Sequence, residues 1–194
     1  MDNLLGVVLC GGESRRMGSD KGLLNTGQGL WALNMRDKLT PWQLPVIYSI
    51  NERQRETYSL LLPPDRLIID NALFPELRGP LKGLLSIHEQ FPEYDLFLVA
   101  CDMQDLDAQT IAKVMETYNA DRQKPAPHDF FIYRDGTFFQ PFCGIYTARG
   151  LVAVYHRAGE GRLRDFSLQS LLKAGRTATL PVENSNAFRN YNSL

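Results

Sequence analysis

Gly11-Gly12, Arg15-Arg16, Gly18 and Asp20-Lys21 crowd into one short stretch, VVLCGGESRRMGSDKGLL, from Val7 to Leu24. An apolar run ends in paired glycines, and cations gather just behind them. Adjacent glycines let backbone approach a phosphate or a flat base closely. Ser14 to Met17 can open a helical turn whose free N–H groups face an anion. Arg15 supplies a planar fork of donors, and Lys21 a compact charge. The spacing G-G-x5-G-x2-K is neither a Walker A sequence nor G-x-G-x-x-G. A plain strand-to-helix turn with solvated arginines is the competing reading.

The second chemical signal is Asp102, which ends the apolar run LFLVACD. A carboxylate there is costly to bury unless it is paired or holds a metal. A hard oxygen at a strand end suits Mg²⁺ shared with substrate phosphates; the alternatives are an N-cap or an ion pair with a loop cation. Asp70, in IIDNALFPELRG, reads first as a turn residue. His88, His128 and His156 have no ligand spacing and read as surface or packed residues. Cys10 and Cys101 end core strands and read as small buried hydrophobes. The aromatic run DFFIYRDGTFFQPF could bind a ring system, but reads first as core or interface packing.

The elements that must position these groups alternate. Strands are predicted at LLGVVLC, PVIYSIN, RLIID and YDLFLVACD, the last being the most apolar and hence central. Helices are predicted at LWALNMRDKL, ERQRETYSLLL, GPLKGLLSIHEQF and DAQTIAKVMETYN, with Asp107 as an N-cap of the last. This alternation predicts an α/β fold with a mostly parallel sheet covered on both faces. Past residue 120 the pattern changes to a late antiparallel element, two strands around Asp135-Gly136. Helices near 148–157 and 167–174 and a strand near 177–182 follow. In open α/β sheets ligands sit beyond the carboxyl ends of the strands. Residues 11–21, Asn51, Asp70, Asn71 and Asp102 all fall there, so they are expected to converge.

The totals bound the partners. A chain of 194 residues, 44% hydrophobic, is expected to form one domain across 1–194. A formal net charge of −1 supplies no global field for nucleic acid or an acidic membrane. Three dispersed cysteines without a Cys-x-x-Cys pair argue against a zinc site and a disulfide framework. The first residues read as a strand rather than a leader, so a cytoplasmic, reducing location is expected.

Leu9–Leu24, as L-C-G-G-x-S-R-R-M-G-x-D-K-x-L-L, closely resembles the signature loop of molybdenum cofactor guanylyltransferases. Further matches run in order: SIN to Asn51, IID to Asp70, GPLKG at Gly79–Gly83, VACD to Asp102, QPFCGIY at Gln140–Tyr146 and FRNYNS at Phe188–Ser193. The resemblance implies a three-layer, Rossmann-like nucleotide-binding sandwich that joins GMP from GTP to molybdopterin, or Mo-molybdopterin, with Mg²⁺. It implies that Leu9, Cys10, Gly11, Gly12 and Ser14 lie against the nucleotide and that Arg15 and Lys21 meet its phosphates. Asn51, Asp70 and Gly79 would hold base and ribose, and Asp102 the metal. Asn190 and Asn192 match a late Asn-x-Asn element near the active site. Other cofactor-biosynthesis proteins and acceptor molybdoenzymes are the implied partners. The Gly-Gly pair resembles the guanylyl rather than the cytidylyl branch. Departures are Gln104 where the family carries Pro, Gly27-Gln28-Gly29 for Gly-Lys-Pro, and Ser193-Leu194 for Thr-Pro. Another nucleotidyltransferase, using CTP or a sugar phosphate, and a non-catalytic nucleotide-binding homologue are the alternatives.

Overall fold

The computed structural model describes residues 3–11, 20–25, 27, 29–70 and 75–191. In chain order the elements are β1 (Leu4–Leu9), α1 (Trp31–Leu39), β2 (Val46–Ile50), α2 (Arg55–Ser59), β3 (Leu67–Ile69), α3 (Gly79–Gln90), β4 (Asp95–Ala100), α4 (Ala108–Asp121), β5 (Phe130–Asp135), β6 (Phe138–Tyr146), α5 (Ala148–Gly159), α6 (Leu168–Ala174) and β7 (Thr177–Pro181). Among the described residues the strands form one seven-stranded sheet in the order β3-β2-β1-β4-β6-β5-β7. β4 is the middle strand, as its apolar run predicts. β1 pairs in parallel with both β2 and β4, and β2 in parallel with β3. β6 alone runs against its neighbours, β4 and β5, while β7 pairs in parallel with β5.

Alternation along the central strands divides the core between two faces. Leu4 and Val8 of β1, with Phe97 and Val99 of β4, pack beneath Met35 and Leu39 of α1, Tyr58 of α2 and Tyr118 of α4. Leu5, Val7 and Leu9, with Leu96 and Leu98, pack beneath Leu81 and Leu84 of α3, Leu151 of α5 and Leu172 of α6. The helices therefore cover both faces and complete the three expected layers.

Local chemistry sets the helix starts. Asp107 caps α4 by accepting from the Thr110 N–H at 2.7 Å, and Thr147 and Ser167 cap α5 and α6 in the same way. Asp95 at the head of β4 accepts from the Ala148 N–H at 2.7 Å and from the Tyr118 hydroxyl, joining α4, α5 and the central strand. The segment read as one helix from Glu52 to Leu62 is shorter. It opens as a 3₁₀ turn at Glu52–Gln54 and its α-helix ends at Ser59, so Leu60 and Leu61 lie exposed beyond it.

Candidate active site

The carboxyl ends of β1, β2, β3 and β4 lie side by side, and the backbone ladder runs one step past each. The Cys10 and Gly11 N–H groups both donate to the Ser49 carbonyl, at 2.9 and 3.0 Å. The Cys101 N–H donates to Leu9 at 3.0 Å, and the Asp70 N–H to Ile50 at 2.9 Å. Two adjoining cavities open there. The larger, about 530 Å³, is lined by Leu9, Gly11, Ser49, Asn51, Asp70, Gly79, Lys82 and Gly83, among others. The smaller, about 200 Å³, is lined by Leu9, Cys10, Gly11, Lys21, Cys101, Asp102, Phe142 and Asn190, among others. Leu9 and Gly11 border both.

The larger cavity carries two acceptors in its wall. The Asn51 Oδ1 is buried without a hydrogen-bond partner among the described residues. Asp70 accepts from the buried Ser49 hydroxyl at 3.3 Å. Burial pushes the Asp70 carboxyl from 3.8 up to about 6, against the opposing pull of the Ser49 hydroxyl and the Lys82 charge. α3 closes on this pair because residue 83 is glycine: a Cβ there would stand 2.6 Å from the Ser49 Oγ. Gly79 opens α3 with φ +62, a conformation that suits glycine.

Lys21 and Asp102 meet in the smaller cavity, Nζ to Oδ2 2.8 Å, with side chains 21% and 14% exposed. The ion-pair alternative weighed for Asp102 is therefore present. Among the described residues no three His, Cys, Asp or Glu side chains are grouped to enclose a metal. A lone carboxylate fits Mg²⁺, which draws its remaining ligands from water and substrate phosphates. The chain near the carboxyl terminus crosses this carboxylate: the Tyr191 N–H donates to the Asp102 carbonyl at 3.2 Å, and Asn190 borders the cavity.

The structure thus brings together Leu9, Cys10, Gly11, Lys21, Asn51, Asp70, Gly79, Asp102 and Asn190. Gly12, Ser14, Arg15, Asn71 and Asn192 lie outside the described residues. Gly11 needs no positive φ; a Cβ there would meet Asp70 Oδ2 at 3.7 Å, ordinary contact on the cavity side. Cys10, Cys101 and Cys143 are free and buried, and His88 packs edge-on against Tyr155, as expected. Phe142 is a wall residue that its aromatic run did not single out. β6 slips register against β5 between Phe131 and Tyr133, and Cys143 takes φ +58. This bulge brings Phe142 to the smaller cavity. Ser49 also escaped notice, although it lies two residues before Asn51 on the same strand face.

The raised Asp70 carboxyl sets a pH dependence. Between pH 3.8 and about 6 the folded protein keeps a proton that the unfolded chain has released, so stability falls as pH rises through that window. Asp70→Asn keeps the acceptor for Ser49 and removes the charge. The variant is expected to be more stable above about pH 6, by up to about 3 kcal/mol, and to lose this part of the pH slope. Urea unfolding of both proteins on either side of the window checks it; parallel pH profiles would refute it.

A Pseudomonas fluorescens protein named molybdenum cofactor guanylyltransferase is 32% identical over 168 residues, covering 84% of this chain and 78% of its own. A Synechocystis protein named molybdenum cofactor biosynthesis bifunctional protein is 28% identical over 148 residues, 76% of this chain but only 40% of its own length. The crystal structure of molybdopterin-guanine dinucleotide biosynthesis protein A from Archaeoglobus fulgidus superposes with TM-score 0.73 at 19% identity, covering 97% of this chain and 92% of that one. Residues 6–176 match the family model described as the MobA-like NTP transferase domain, and the chain belongs to that family.

Proposed function

We propose that this chain, acting as a single nucleotidyltransferase domain, transfers GMP from GTP to molybdopterin and releases pyrophosphate. The observation that carries the reading is the pair of acceptors in the larger cavity, the unpartnered Asn51 Oδ1 and the Asp70 carboxylate. Guanine presents adjacent ring and exocyclic N–H donors on one edge, and two nearby acceptors suit it. Unpaired buried acceptors penalise a base lacking those donors. The names of the relatives support the same base and the same acceptor.

In the proposed complex the triphosphate extends from the larger cavity past Gly11 into the smaller one. Lys21 exchanges its partner Asp102 for phosphate oxygens, and the released Asp102 carboxylate would hold Mg²⁺. Mg²⁺ held there would supply positive charge to neutralise the reacting phosphates. Gly12, Ser14 and Arg15 are proposed to supply further backbone and guanidinium donors, and Asn190 and Asn192 to border the acceptor. The acceptor phosphate attacks the α-phosphorus; the bond to pyrophosphate breaks as the new anhydride bond forms. No general base is required, because a phosphomonoester is already ionised near neutral pH. Positioning and charge neutralisation supply the rate.

Purified protein with GTP, Mg²⁺ and molybdopterin is expected to form the guanine dinucleotide and pyrophosphate. Product from CTP but not GTP, or GTP binding without product from a competent acceptor, would overturn the reading. Asp102→Asn is expected to abolish productive Mg²⁺ binding, so that added Mg²⁺ no longer supports transfer, with its circular dichroism unchanged. Lys21→Ala is expected to lower kcat/KM by about 2–4 kcal/mol, the scale for losing one preorganised electrostatic donor.

Gly11→Ala tests the base pocket. Because residue 11 needs no positive φ, the methyl group should leave the melting temperature unchanged and project toward the base. The expected result is a Kd for GTP raised about tenfold, near 1.4 kcal/mol, with a much smaller effect on CTP. Calorimetric titration of both nucleotides reads the difference; equal losses would show that the methyl does not meet the purine.

A further inference from the structure

Gln54 is a buried residue in a charged, exposed stretch. Glu52, Arg53, Arg55 and Glu56 around it face solvent, whereas Gln54 is only 8% exposed. Burying an amide is unfavourable unless its hydrogen bonds are made, and here both ends are bonded. Its Oε1 accepts from the Asn51 N–H at 2.9 Å. Its Nε2 donates to the Cys10 carbonyl at 3.0 Å and to the Asp20 carboxylate. Asp20 in turn accepts from the Tyr58 hydroxyl at 2.6 Å and from the Gly22 N–H at 3.2 Å. The fit leaves no slack, since a Cβ at Gly22 would collide with the Tyr58 hydroxyl.

The three points that Gln54 holds, two of them backbone and the third the Asp20 carboxylate, belong to different parts of the site. Asn51 walls the larger cavity. Cys10 leads into Gly11, which borders both. Asp20 precedes Lys21, the cation paired with Asp102 in the smaller cavity. We infer that Gln54, acting through Asp20, is a positioning residue that keeps the base-binding and phosphate-binding halves of the site in one register, so that base recognition governs where the triphosphate lies. The inference rests on the reading above, in which one nucleotide spans both cavities. The cluster touches no part of the reaction itself. Its contribution is to the alignment of two subsites, a matter in which errors of about 1 Å can cost 10²-fold.

Alignment differs from ordinary stability in what it predicts. A misaligned site still binds the separate pieces and loses the advantage of their connection. Gln54→Glu keeps the acceptor for Asn51 but sets a carboxylate against Asp20 and the Cys10 carbonyl. Gln54→Met removes all three bonds without adding charge. Asp20→Asn combined with Gln54→Glu restores a donor at position 20 for the acceptor at 54, and its amide oxygen still accepts from Tyr58 and Gly22.

The experiment is calorimetric titration of GTP, guanosine and pyrophosphate, with Mg²⁺, on the full chain and these variants. Gln54→Glu and Gln54→Met are expected to raise the Kd for GTP about tenfold or more, while guanosine and pyrophosphate stay within about twofold. The double variant is expected to recover part of the GTP affinity that Gln54→Glu loses, since the bond to the Cys10 carbonyl stays broken. If Gln54→Glu does not fold, Gln54→Met carries the same test. Unchanged GTP affinity, equal losses for GTP and guanosine, or no recovery in the double variant would overturn the inference. GTP binding by the parent protein without transfer would remove the proposed reaction and leave the positioning role standing; no GTP binding at all would remove both.

Discussion

The parallel pairing of β1 with β2 on one side and β4 on the other is the constraint on which the site depends. Leu9 lies opposite Ser49 in one ladder and opposite Ala100 in the other. That register sets Gly11, Asn51 and Asp102 on one rim although they are distant in sequence. Because side chains alternate, a slip of one residue in β2 would turn Ser49 away from α3 and expose an apolar neighbour in its place. The hydrophobic alternation that builds the two half-cores is thus the same pattern that aims the polar groups.

On this rigid rim the site holds groups that do not favour the folded state. Among the described residues Asp70 is partly desolvated with a neutral hydroxyl bonded to it and the Lys82 charge nearby, and the Asn51 Oδ1 has no partner. Groups held at a cost to stability are characteristic of functional sites, and the proposed function assigns these two to the base. Lys21 and Asp102 are balanced differently, each neutralising the other at 2.8 Å. A half-buried pair of this kind gains little net energy, so it adds little to the stability of the fold. The nucleotide-free protein thereby keeps both charges partnered.

Much of this was legible from residue types alone. A strand run that ends in a carboxylate, as in LFLVACD or RLIID, signals an acid at a sheet's carboxyl edge whatever its partners are. Alternation of strands with helices then implies that such ends meet. The resemblance added Asn190, which no local pattern marks. Gln54 was not legible, because in ERQRETYSLLL it reads as one more polar residue of a solvated helix. Only the fold shows that the chain turns there as a 3₁₀ segment and presses that one amide between β1 and Asp20. Phe142 was not singled out within its aromatic run and the QPFCGIY match for a related reason: a bulge re-aims it, and the slipped register of β6 against β5 has no signature in an aromatic-rich run.

Gln104 shows how a departure from a family pattern can be accommodated physically. A proline at that place would stiffen the turn after β4 by fixing φ. In this chain the Gln104 amide instead donates to the Cys101 carbonyl at 2.6 Å and reaches the Trp31 carbonyl at 3.4 Å, while its oxygen accepts from Asn34 at 3.2 Å. The turn is therefore tied across to α1 by side-chain bonds rather than held by a ring. Those bonds straddle Asp102 in sequence, one end at Cys101 and the other at Gln104 itself, and the Tyr191 N–H closes on the Asp102 carbonyl from the far side. The backbone around the proposed metal-holding carboxylate is consequently anchored at three places. The substitution changes the means of anchoring and leaves the carboxylate facing the smaller cavity.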